Sequence, residues 1–248
     1  MKRTLIKILA GFVLVLFPFL TPQLISFASE YGVETKHWSN ARYDRTYLSP
    51  DPKIIKEAVV QVMAARTWGW RGSFAVHTWI SVKAANAPGF TRYEVIGWRH
   101  TPLTIRFGVP DNYWAGNRPF LITDIRGQKA ADIIGKLNNV VDRYPYKDSY
   151  KVWPGPNSNT FIAYISREIP ELELDLPPTA IGKDYLAGDG VIGTPVSGRG
   201  VQFSAGGYGG FAFSPVEGLE FHLLGLTTGF DYGDMVLKLP GFGRVPLL

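Results

Sequence analysis

Hydrophobic and polar positions in this chain fall into segments of different period, and each segment predicts an element. Across residues 73–82 they alternate, with Phe74, Val76, Thr78, Ile80 and Val82 on one face and Ala75, His77 and Trp79 on the other. That is the period-two pattern of a strand rich in β-branched and aromatic residues. Residues 92–99 and 103–109 read as two further strands, and short connections make the set an antiparallel meander. Residues 124–144 switch to helical spacing, with Ala130, Ile133, Ile134, Leu137, Val141 and Tyr144 as the apolar stripe and Pro145 as the stop. A second helix follows Trp153-Pro154-Gly155-Pro156-Asn157, because Ser158 has Phe161, Ile162, Ile165 and Ile169 at helical spacings and Pro170 ends the run.

Two segments leave the pattern open. Asp51-Pro52 is a helix start signal followed by apolar positions from Ile54 to Met63, yet Val59 to Ala65 fits a strand equally well. Beyond Leu176, Pro177-Pro178, many glycines and short apolar runs suggest hairpins that form a β-rich extension packed on the first part. Residues 30–50 show no clear period and read as a surface-wrapping segment.

At the N-terminus, Lys2, Arg3 and Lys7 precede 22 uncharged residues from Ile8 to Ser29. This is the form of a signal peptide with a small-x-small site at Ser26-Phe27-Ala28. It is equally the form of an uncleaved anchor, for which about 20 apolar residues are needed. In either case the positive-inside rule places the bulk outside the cytoplasm, in the cell envelope with the membrane as partner. The expected organisation is thus a targeting or anchor segment (1–29), an α+β core (30–175) and a β-rich C-terminal extension (176–248).

Composition narrows the function classes. The chain has 248 residues, 46% hydrophobic and 19% charged, as a folded protein does, with a net charge of +5. The basic residues are scattered and form no stripe, which argues against nucleic acid. There is no cysteine, so thiolate metal sites and a cysteine nucleophile are excluded. Glu217, Glu220 and His222 cluster without an established ligand spacing and read as structural. No metal or cofactor is expected. The many Trp and Tyr residues suit a lipid or glycan groove, and equally core packing or an interfacial belt.

Of the histidines His37, His77, His100 and His222, His77 stands out at mid-strand among aromatic neighbours. It reads as a hydrogen-bonded core histidine, or as a base for Ser158 at the helix start. Ser158 in turn reads as part of a helix cap, or as a nucleophile where unpaired amides favour developing negative charge. Glu94 is the natural acceptor to orient His77, in the one strand register that puts both on the same face. His100 is the alternative third member.

At these residues the order of parts resembles the circularly permuted papain-like fold of the NlpC-like peptidases and the lecithin:retinol acyltransferase group. Asn157-Ser158-Asn159-Thr160-Phe161 resembles the Asn-Cys-x-x-Phe helix start of that group, with serine in place of cysteine, and Val76-His77-Thr78-Trp79-Ile80 resembles its histidine strand. The whole chain also resembles an envelope family, domain of unknown function 3750, through 68–79, 153–161 and 176–184. The papain-like resemblance implies an amide or ester hydrolase or acyltransferase on peptidoglycan peptides or membrane acyl esters. Ser158 would be nucleophile, His77 base and Glu94 orienter, with Asn157, Asn159, Thr160 and Trp79 binding substrate. A serine hydroxyl forms no ready thiolate equivalent and depends on its base. The competing expectation is therefore a non-catalytic papain-like protein that binds a peptide, glycan or lipid. A third is a purely structural membrane-associated protein.

Overall fold

The computed structural model describes residues 2–29, 31, 39, 41–188 and 190–247, with the side chains of 2–10 and 12 outside that description; His37 also lies outside it. The protein is α+β, built on two antiparallel sheets. The first contains β1 (Val59–Arg66), β2 (Val76–Lys83), β3 (Phe90–Val95), β4 (Leu103–Gly108) and β5 (Phe120–Arg126), in the order β4-β3-β2-β1-β5. Two helices, α2 (Gly127–Asp142) and α3 (Ser158–Glu168), cover one face of it.

Residues 59–66 form a strand rather than a helix, because β2 and β5 flank them and pair both edges. The Asp51-Pro52 start signal yields only a turn, in which the Asp51 side chain accepts from the Lys53 amide. The helix expected from 124 begins at Gly127, since residues 120–126 are drawn into β5 by pairing with β1. Gly127 divides strand from helix at φ +65°, a left-handed conformation open to glycine at little cost. The α3 helix ends at Glu168, before Ile169-Pro170.

The core between sheet and helices joins Val60, Val62, Ala64, Val76, Ile80 and Val82 to Ile133, Leu137, Phe161, Ile162 and Ile165. Leu172, Leu174, Leu176 and Ala180 complete it, so this packed unit runs past residue 175.

The second sheet is a simple meander of β6 (Ile192–Gly193), β7 (Val201–Ser204), β8 (Gly209–Ser214), β9 (Gly218–Leu223), β10 (Leu226–Asp231), β11 (Val236–Leu239) and β12 (Gly243–Pro246). Its buried face carries Gln202, Ser214, Glu220, His222, Thr227 and Lys238. Charge holds this face to the core: Lys183 and Lys238 both donate to Glu220 Oε1 at 2.7 Å, and Lys238 reaches Asp175 at 2.8 Å. The N-terminal helix α1 (Lys2–Ala28) lies against β10 and β11. Among the described residues, no helix is long and apolar enough to cross a membrane.

Candidate functional site

Antiparallel pairing sets Trp79 opposite Met63 on β1, and Glu94 opposite Thr104 on β4. His77, Trp79, Arg92 and Glu94 thereby share the face of the first sheet that looks away from α2 and α3. Here His77 Nε2 donates to Glu94 Oε2 at 3.2 Å. Arg92 donates to the same oxygen at 2.6 Å, and Arg106 to Oε1 at 2.7 Å. Burial alone would raise the Glu94 carboxyl. The His77 hydrogen bond and the Arg92 and Arg106 charges outweigh burial and hold the group at about 2. Burial lowers His77 below the ordinary histidine range, so the ring is neutral at pH 7 and its Nε2 carries the proton that Glu94 accepts.

The loop after β4 closes over this face. A tight turn with Trp114 and Asn117 bonded to each other has positive φ at Ala115 and Gly116, as the primed hairpin turns require. It lays the Trp114 indole flat on the His77 ring, centroids 3.7 Å apart and planes within 5°. Trp79 is fully buried beneath, its Nε1 donating to Pro110 O at 2.8 Å, with the Arg92 guanidinium 4.1 Å over its ring. The outer face of Trp114 joins Tyr43, Trp68, Trp98 and Ala115 around a cleft of about 290 Å³. This cleft is apolar and aromatic, with the Glu94–Arg92 ion pair and the neutral His77 ring behind it.

The Ser158 region lies on the opposite face. β2 presents Thr78 to α3, where Thr78 Oγ1 donates to Asn159 Oδ1 at 2.9 Å and approaches Ser158 O at 3.3 Å. Since successive strand side chains point to opposite faces, Thr78 looks toward the α3 helix start and the His77 ring looks away from it. The structure brings His77 and Glu94 together and does not bring Ser158 to either. Among the described residues the Ser158 hydroxyl makes no hydrogen bond.

Asn157 is the cap, its Oδ1 accepting from the Asn159 and Thr160 amides. Its Nδ2 donates to Val152 O and Ile181 O; Asn159 Nδ2 donates to Val76 O and Ile181 O, and Thr160 Oγ1 to Gly182 O. These side chains clasp the 176–184 segment to the first core rather than facing a ligand. Gly182 is part of the clasp, because a Cβ there would stand 2.5 Å from Asn157 Nδ2. His100 is exposed on a turn. His222 is buried with Nδ1 3.0 Å from Thr227 Oγ1, and no metal-binding group of three occurs among the described residues.

Sequence reasoning missed Trp114, Trp98, Tyr43 and Arg92 as site residues. The turn residues Asn112, Ala115, Gly116 and Asn117 around Trp114 were a local signal. Its fold-back onto His77 had none.

With this geometry in view, the chain belongs to a family of proteins of unknown function, DUF3750, whose model matches residues 57–185. The match takes in the first sheet, both packed helices and the clasped segment, and stops short of the second sheet. No curated protein and no solved structure matches the chain.

Proposed function

We propose that this protein is a non-catalytic binding protein of the cell envelope, which receives a sugar ring of a glycan in the cleft lined by Tyr43, Trp68, Trp98 and Trp114. The cleft carries the reading: flat aromatic faces at a half-open, largely apolar site suit a ring that buries its C–H face and leaves its hydroxyls toward water. The cluster behind it supports the reading as well. Glu94 is saturated by three donors, and His77 is clamped between Glu94 and Trp114, so both act as a rigid backing rather than a mobile acid and base. In this reading the papain-like order of strand and helix serves as a scaffold, and Asn157-Ser158 closes a helix end. Placement in the envelope is supported by the basic start and uncharged run of residues 2–29.

The test is a titration of intrinsic tryptophan fluorescence with soluble peptidoglycan fragments. Trp98→Ala is expected to weaken binding roughly tenfold, the loss typical of removing an aromatic anchor, while Ser158→Ala leaves it unchanged. Labelling of the wild type by a fluorophosphonate, abolished in Ser158→Ala, would overturn the non-catalytic reading.

A further inference from the structure

The second sheet is inside out. Its buried face holds the polar and charged residues, while its other face exposes Val201, Phe203, Phe211, Phe213, Leu219 and Phe221. These form two rows across the strands: Phe203 pairs with Phe211 and Phe211 with Phe221, and Val201 pairs with Phe213 and Phe213 with Leu219. No charged side chain interrupts them. A solvated antiparallel sheet shows the reverse alternation, apolar inward and polar outward. Apolar outward with polar inward is the alternation of sheets that meet hydrocarbon.

We infer that this face docks on the acyl region of a phospholipid bilayer, as a membrane contact separate from the N-terminal segment. Three observations select lipid. First, α1 lies on β10 and β11 of the same sheet and exposes Leu14, Phe17 and Leu24, so the apolar surface continues from sheet to helix. Second, amphipathic aromatics stand at both ends of the strands. Trp153 and Tyr208 pair edge to face at one end, and Tyr232 reaches Ser214 O at the other, as residues of a membrane–water interface do. Third, the rows offer no hydrogen-bonding group with which a protein partner could fix a register, whereas interfaces between proteins carry roughly one hydrogen bond per 100–200 Å².

Among the described residues the sheet is open, with β6 and β12 as its edge strands. Free edges do not occur inside hydrocarbon, so the face lies along the bilayer surface and does not span it. At about 4.8 Å between strands, the rows on β7, β8 and β9 are about 10 Å across, and the exposed side chains of α1 extend that surface.

This inference uses the envelope placement proposed above and is independent of the ligand in the cleft. The chain has no cysteine, so single reporters can be placed without background. Full-length Phe213→Cys, Phe203→Cys, Leu14→Cys and Asp132→Cys would each carry an environment-sensitive fluorophore. Each is mixed with vesicles of phosphatidylglycerol and phosphatidylethanolamine, with and without acyl-chain spin labels. The expected result is a blue shift and spin-label quenching at positions 213 and 203, with no change at the exposed α2 position 132. Quenching at 213 without quenching at 14 leaves the sheet as a lipid contact and removes the N-terminal anchor. Failure to quench at 213 overturns the inference, whether or not position 14 responds. Rapid disulfide linkage of two Phe213→Cys chains without quenching would replace lipid by a second copy of this chain.

Discussion

Glu94 shows how one side chain sets the character of a site. It is fully buried, yet accepts from His77, Arg92 and Arg106, so its charge is compensated on both oxygens. Removing it would leave Arg92 buried without its counter-ion. Glu94→Ala is expected to cost roughly 3–5 kcal/mol, as when one partner of a buried pair is lost, measured by urea denaturation. The sign of the pH dependence follows from the same contacts. Glu94 and Glu220 are both held at about 2 in the folded protein. Each therefore contributes stability that is complete above the ordinary carboxylate range and is lost as pH falls toward 2. His77 is depressed and acts in the same direction, losing its contribution as pH falls through the ordinary histidine range. The melting temperature should hold from pH 8 to about 7, decline gently below about 6.5, and fall steeply below about 4.5. A melting temperature that rises on acidification would contradict these contacts.

At the scale of elements, the helix start at Asn157 works as a fastener. One Asn caps α3 and binds two carbonyls, while Asn159 and Thr160 hold Ile181 and Gly182. Asn157→Ala should destabilise by about 2–3 kcal/mol, more than the ~1 kcal/mol of an isolated cap, because buried carbonyls lose their donors too. Ser158→Ala should cost less than about 1 kcal/mol, since the hydroxyl has no partner among the described residues. Equal losses at both positions in thermal unfolding would contradict this division of roles. Most of the elements were legible locally. The alternation at 73–82 and the stripes of α2 and α3 follow from local periodicity. The β5 strand was not legible, because Phe120–Arg126 becomes a strand through pairing with β1 across a long stretch of chain.

At the scale of the molecule, the two sheets are joined by buried charge rather than by a common apolar core. Lys183 enters from the clasped segment, and Lys238 from β11, to meet at Glu220. Burial lowers the Lys183 ammonium, and the Glu220 charge opposes that shift. Glu220→Ala would leave Lys183 buried without its counter-ion and Lys238 with Asp175 alone, and should loosen the second sheet first. Hydrogen exchange is expected to rise across residues 201–246 while residues 59–83 stay protected, and uniform loss of protection would argue for one cooperative unit.

The sequence by itself determined the helical stripes, the strand patterns and the fact that His77 and Thr78 face opposite ways, since these follow from backbone geometry over a few residues. Only tertiary structure decided which of those two faces receives α3, and that choice turns the His77 ring away from the helix start. It also decided that Trp114 folds back to cover the histidine, and that the polar side of the second sheet turns inward toward Lys183. Each of these outcomes depends on contacts between segments distant along the chain, for which local periodicity carries no information.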